Sequence, residues 1–252
     1  MPPAAEPPAA QPPAVEAPAG GAALRGHAAG RLGGLLLDIG GVVHNTSMHL
    51  VGRLAETEPA LRPVLERIGG LASDRDELWQ QMLRRQVTER QYWAQRAAEF
   101  GAAVGETWDT QAMMHRLYGL PEQEWLRAET VELMTEVKAA GLRLGALTND
   151  LAAFHGPGWV EQQEHLKLFD VIVDASLTGV LKPDPRAFGQ AADALGLPAE
   201  QIVFLDDMPW NVEGARRAGM AAVRVPWDGP GPAIAAARNL LRLPPRPPGD
   251  DH

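Results

Sequence analysis

The sequence predicts an α/β fold: a parallel sheet of about five strands with helices on both faces, joined to a small all-helical unit. Three observations predict it. Five short apolar runs read as buried strands, at 35–39, 142–148, 171–174, 202–205 and 222–225. From the second onward, each run is separated from the next by a stretch with helix signals. Residues 46–118 are the exception, because they hold no convincing strand and offer helix patterns instead.

In chain order, residues 1–30 are Pro, Ala and Gly with few large apolar groups. Such a segment buries too little surface to offset its ordering entropy, so a disordered tail is expected. The α/β core opens at 31–45 with the first strand. Within 46–118, Thr88-Glu89-Arg90-Gln91 has capping-box spacing. Trp79, Met82, Leu83, Tyr92, Trp93 and Phe100 are expected to pack into a small bundle core. A crossover that long suggests a lid or specificity module. The core resumes at 119 and runs to 243. Residues 121–140 read as one long helix stopped by Gly141. Asp184 before Pro185 reads as N-cap and first turn, with Gly196 as the stop. Pro209 and Gly219 bracket another helix. Residues 244–252, PPRPPGDDH, are expected to form a second disordered tail.

Composition excludes several classes. The 252 residues are 45% hydrophobic, enough for a large domain or a core with a smaller companion. Net charge is −9, which disfavours nucleic acid, since phosphate-backbone affinity needs clustered Lys and Arg. A small anionic substrate needs only a local positive site. There are no cysteines, so a disulfide scaffold, a thiolate zinc site and a cysteine nucleophile are out. That absence fits a cytoplasmic protein. No run of roughly 18 apolar residues or secretory-signal pattern is present, so no membrane association is expected.

Ligands of an open parallel sheet bind at the carboxyl ends of its strands. Asp38 stands there after the first strand, ahead of Gly40 and Gly41. Thr148, Asn149 and Asp150 follow the second. Lys182 comes after the third, within Gly179-Val180-Leu181-Lys182-Pro183-Asp184-Pro185. Asp206 and Asp207 end the fourth, with Asn211 beyond. Carboxylates so placed repel unless a divalent cation or the lysine compensates them. Oxygen ligands of this kind suit Mg²⁺. A carboxylate nucleophile, a metal and a lysine are the parts phosphoryl transfer needs.

In order, spacing and strand context, Asp38, Thr148, Lys182-Pro183-Asp184-Pro185 and Asp206-Asp207 resemble the four motifs of the haloacid dehalogenase-like (HAD) hydrolases. FLDDMPWNVEGARRAGM is similar to the fourth motif and LKPDPRAF to the third. The resemblance covers about residues 34–225. It implies a Rossmann-like core with a helical cap, here 46–118, inserted after the first strand. It implies that Asp38 attacks phosphorus and forms an aspartyl-phosphate. Thr148 would hydrogen-bond the phosphoryl oxygens and Lys182 would neutralise charge. Mg²⁺ would be held by Asp38, the Gly40 carbonyl, Asp206 and Asp207, with Asn211 orienting the acidic pair. The Gly41 amide, Asn149 and His44 would face the substrate. The partner implied is a small phosphorylated metabolite, bound by a monomer or homodimer.

One departure matters. Most phosphatases of that family carry a second Asp two residues after the nucleophile, as general acid and base. Here the position is Gly40. General acid–base assistance is worth roughly 10²–10⁴-fold. Slow turnover, a good leaving group or a substitute acid is therefore expected. His44 is a candidate substitute, since histidine titrates near neutral pH, and His155 a weaker one; a satisfied loop histidine is the alternative. Asp150 reads equally as helix cap or substrate contact. Two rivals stand beside the phosphatase. One is a metal-independent dehalogenase-type hydrolase, for which two further carboxylates have little use. The other is a non-catalytic binder of a phosphate ligand. A phospho-accepting receiver domain is rejected, because there the acidic pair precedes the phosphorylated Asp.

Overall fold

The computed structural model describes residues 31–244. The tail expected at 1–30, and the one expected at 244–252 apart from Pro244, lie outside those residues. Five strands form one wholly parallel sheet in the order β3-β2-β1-β4-β5. They are β1 (Gly34–Leu37), β2 (Arg143–Thr148), β3 (Val171–Asp174), β4 (Ile202–Asp206) and β5 (Ala221–Arg224). All five expected strands are present, with boundaries shifted by at most two residues and β3 unshifted.

Side-chain alternation explains why β1 is apolar throughout. Leu35 and Leu37 belong to one core and Leu36 to another, and all three are fully buried. The first core is closed by α7 (Ala128–Ala139) and α13 (Gly231–Leu241), through Leu133, Val137, Ile234 and Ala237. The second is closed by α11 (Pro185–Leu195) and α12 (Pro209–Arg217). Helix α11 shows how its sequence sets this face. Ala187, Phe188, Ala191, Ala192 and Leu195 form one buried stripe, Asp184 accepts the Arg186 N–H, and Gly196 takes the left-handed φ of 69° that ends the helix.

After β1 come α1 (Ser47–Thr57), α2 (Arg62–Ile68), α3 (Glu77–Leu83), α4 (Glu89–Ala103) and α5 (Thr110–Leu117), with no strand among them. They share a third core that includes Trp79, Met82, Tyr92, Trp93 and Phe100. Leu83 departs from its expected place and is 39% exposed, at the last residue of α3. Thr88 and Gln91 form the full capping box that starts α4. Asp76 is fully buried beneath it, accepting the Tyr92 hydroxyl at 2.8 Å and pairing with Arg96.

The long helix expected over 121–140 is broken into α6 (Glu122–Trp125) and α7. Leu126 makes an antiparallel bridge with His44, the Asn45 N–H donates to the Trp125 carbonyl at 2.7 Å, and the Arg127 N–H donates to the Val43 carbonyl at 2.9 Å. The chain leaving the core and the chain returning to it are thus laced together. Short α8 (Leu151–His155), α9 (Pro157–Gln162) and α10 (Ala175–Thr178) complete the loops after β2 and β3. Among the described residues, no helix is long and apolar enough to cross a membrane.

Candidate active site

Each strand stops where its apolar run gives out, so the first polar residues stand together at the carboxyl ends of β1, β2 and β4. Asp38 Oδ1 accepts the N–H of Ile39 at 2.7 Å. Asp206, completely buried, accepts the Met208 N–H at 2.8 Å and the Asn211 Nδ2 with both oxygens at 3.1 Å. Lys182 Nζ lies 2.9 Å from Asp38 Oδ2 and 2.7 Å from Asp206 Oδ2. Thr148 ends β2, buried but bordering the same cavity.

Asn149, expected to face the substrate, has both ends of its amide on the Lys182 backbone. Lys182 N–H donates to its Oδ1 at 2.8 Å, and its Nδ2 donates to the Lys182 carbonyl at 3.2 Å. It therefore fixes the segment that carries the lysine. Asp150 does not cap α8, whose Ala152 N–H donates to Asp174 Oδ2 at 2.6 Å, and instead accepts Arg90 Nε of α4 at 2.6 Å.

Asp38, Asp206 and Asp207 place ligand oxygens within 4.8 Å of one another. One ammonium faces them, which leaves an excess of negative charge in a dry place. Burial pushes the Asp38 carboxyl up to about 7 against the pull of Lys182, with Asp206 adding to the rise. Burial, then Asp206 and Asp38, hold Asp207 well above the ordinary carboxylate range. Burial opposes charge on Lys182 too, but Asp206 and Asp38 outweigh it and raise its pKa above that of a free lysine. A divalent cation is the species that would relieve this imbalance.

The two glycines of the first loop differ. Gly41 has φ of +73°, and a Cβ there would sit 2.4 Å from Asp207 Oδ2. Its missing side chain admits Asp207 to the cluster. Gly40 is exposed, and a Cβ there would meet nothing within 4 Å.

A cavity of about 100 Å³ opens over the cluster. Its floor includes Asp38, Gly40, Gly41, Thr148, Lys182 and Asp207, and its upper wall includes Trp79, Glu89, Trp93 and Met114 of α3–α5. His44 borders it but is fully buried, with Nε2 2.8 Å from His165 Nε2 and its ring edge-on to Tyr118 and Trp125. Burial, then His165 and His155, hold it well below the usual histidine range. His155 stacks on Trp159 at 4.1 Å, and burial pushes it down to about 3. Both rings are neutral at neutral pH. Neither holds the proton that Gly40 cannot supply.

Trp227 and Glu89 escaped the sequence reading. Trp227 Nε1 donates to Asp207 Oδ2 at 3.2 Å, and its ring meets Trp79 of α3 edge-on at 5.5 Å. It joins the acidic cluster to the helical insert from a loop whose sequence carries no motif. Glu89 lay inside the capping box that drew attention to its neighbours.

A parallel α/β sheet with three carboxylates and a buried lysine at its strand ends defines a Rossmann-like hydrolase core. The chain belongs to the haloacid dehalogenase-like hydrolase family, whose sequence model matches residues 33–219. A Mycobacterium tuberculosis protein named as a phosphatase is 36% identical over 96 residues, 38% of this chain and 44% of that protein. The (S)-2-haloacid dehalogenase of Pseudomonas putida is 30% identical over 92 residues, 36% of this chain and 40% of the enzyme. The chain thus matches less than half the length of these relatives. In fold, the crystal structure of a HAD phosphatase from Thermococcus onnurineus superposes with a TM-score of 0.52 at 20% identity, covering 77% of this chain and 86% of that one.

Proposed function

We propose that the protein is a Mg²⁺-dependent phosphatase of a small phosphorylated metabolite, working through an aspartyl-phosphate at Asp38. The observation that carries this is Lys182 bridging Asp38 and Asp206 beside the Asp207 carboxylate. We assign residues 31–45 and 119–243 to the catalytic core and 46–118 to a cap. We read the chain as a cytoplasmic monomer or homodimer.

An Asp38 oxygen attacks phosphorus, and the bond from phosphorus to the leaving-group oxygen breaks. Lys182 steadies the charge on Asp38 and on the phosphoryl group. The Thr148 hydroxyl and the amides of the Gly40-Gly41 loop bind phosphoryl oxygens. Water then attacks the aspartyl-phosphate, which releases phosphate and restores Asp38. Asp38, the Gly40 carbonyl, Asp206 and Asp207 would hold Mg²⁺, which when bound neutralises the carboxylates and the phosphate. The leaving group takes its proton without a side chain at position 40, so groups of low pKa depart fastest.

The dehalogenase reading fits less well. An acidic pair has little use in a metal-free site, and among the described residues the upper wall of the cavity offers a halo-acid's carboxylate no Lys or Arg. The test is hydrolysis of an activated aryl phosphate with Mg²⁺ and with chelator. Mg²⁺-dependent turnover supports the phosphatase. Its absence in folded protein removes that reading, and halo-acids without metal come next.

Metal binding has a pH signature. The raised pKa values of Asp38 and Asp207 mean that the fold favours their protonated forms. Their stabilisation is full below about pH 4 and is lost as pH rises, through about 7 for Asp38, with Asp207 shifted in the same direction. Mg²⁺ binds the ionised forms. It should raise the melting temperature more at about pH 8 than at about pH 5. An equal rise at both, followed by thermal unfolding, would contradict the assignment of these carboxylates as ligands.

Trp227→Phe keeps the ring against Trp79 and removes the N–H given to Asp207. Mg²⁺ affinity, read by calorimetry, should fall about tenfold, the size of effect typical of partners that orient metal ligands. Unchanged affinity would mean that the indole merely fills space.

A further inference from the structure

We infer that Glu89 selects the substrate's leaving group, and that this group bears an ammonium, which makes the substrate a phosphorylated amino alcohol. The inference rests on the phosphatase reading above. Glu89 lies in the first turn of α4 and lines the cavity opposite Asp38 and Lys182. Next to it, Arg90 Nε donates to Asp150 at 2.6 Å, and Asp150 lines the same cavity. The Glu89 carboxylate accepts one long hydrogen bond, from Trp93 Nε1 at 3.4 Å.

Glu89 is the ionisable side chain that the helices of the insert place in this cavity, and among the described residues they place no Lys or Arg there. The two cations nearby are committed, Arg90 to Asp150 and Lys182 to Asp38 and Asp206. The walls Glu89 shares include the aromatic and thioether side chains Trp79, Trp93, Tyr118, Phe154 and Met114, together with Ser47 and Asp150, the latter held by Arg90. Burial, followed by the charge of Asp150, pushes the Glu89 carboxyl upward, as happens to a carboxylate that lacks its counter-charge.

This wall sorts leaving groups by charge. An ammonium finds a carboxylate among indole and phenol side chains. A neutral alcohol leaves the carboxylate uncompensated. A carboxylate or second phosphate meets the Glu89 charge and, among the described residues, no Lys or Arg of the insert, at the cost of burying an unpaired charge. The small volume adds a limit on size, which a two- or three-carbon amino alcohol meets.

The test compares kcat/KM with Mg²⁺ for phosphocholine, for 3,3-dimethylbutyl phosphate as its uncharged isostere, and for phosphoglycolate. The ammonium ester should exceed the isostere about tenfold or more, with phosphoglycolate slowest. Glu89→Gln should flatten the first ratio, and Glu89→Lys should turn the preference toward phosphoglycolate. Calorimetric binding of the same three esters to Asp38→Asn should show the same order and lose it in the Asp38→Asn, Glu89→Gln double variant. Aryl phosphate turnover without ammonium preference overturns the inference and leaves the phosphatase standing, as does a preference that survives Glu89→Gln. No aryl phosphate turnover at all overturns both.

Discussion

Asp38→Asn should abolish Mg²⁺-dependent hydrolysis of an aryl phosphate, by roughly 10⁴-fold or more, as removal of a covalent nucleophile does elsewhere. The amide nearly matches the carboxylate in shape. Its oxygen can still accept the Ile39 N–H that Asp38 Oδ1 accepts at 2.7 Å. What it lacks is the charge and the lone pair that bonds phosphorus. The variant should also remain folded, for a specific reason. Asp38 is one of three crowded carboxylates, and burial already pushes it up to about 7. Removing the charge relieves its burial cost, which outweighs the contact it forfeits with Lys182, and the lysine keeps Asp206 at 2.7 Å. At about pH 8 without metal, the melting temperature should therefore hold or rise. A folded variant that still turns over at near wild-type rate would sink the covalent mechanism.

The sheet was legible because its signals are local. Runs such as 35–37 are apolar at every position, and only a strand covered on both faces needs that. The strand-end residues were legible for the same reason, since Asp38, Thr148 and Asp206 each sit where a run stops. Lys182 was found through its motif, although its bond to Asp206 spans 24 residues. What stayed hidden depends on pairings across the fold. The break between α6 and α7 comes from Leu126 bridging His44, which no helix propensity encodes. His44 looked like a proton donor because it lies six residues past Asp38, but its ring turns away to His165, 121 residues on. Asn149 looked like a substrate contact, yet its amide is shared with the backbone 33 residues ahead. Trp227 belongs to the same group, for its partners Asp207 and Trp79 come from other segments of the chain. Sequence order shows where a polar residue stands on its own element, not what crosses to meet it.

Gly40→Asp should give the largest gain. The site has nucleophile, lysine and acidic pair, and position 40 carries no side chain to protonate the departing alcohol. Position 40 accepts one without rearrangement. It is exposed, its φ lies outside the left-handed region, and a Cβ there meets nothing within 4 Å. Its carbonyl, proposed for the metal, does not depend on the side chain. For an alkyl phosphate, whose leaving group must be protonated, kcat/KM should rise by about 10²–10⁴. For an activated aryl phosphate, whose leaving group departs as an anion, it should change little. The contrast between the two esters is the diagnostic, because a general improvement in folding or metal binding would lift both. The new carboxylate should also add an alkaline limb to the pH–rate profile for the alkyl ester, with turnover falling as pH rises and the acid ionises. In metal-free protein the same substitution places a fourth carboxylate beside three, so the melting temperature should drop and Mg²⁺ should restore it. If alkyl and aryl esters respond alike, the proton in the parent protein already comes from elsewhere, and the glycine is no deficit. If only the alkyl ester gains, Gly40 sets the limit on which phosphate esters this protein can cleave.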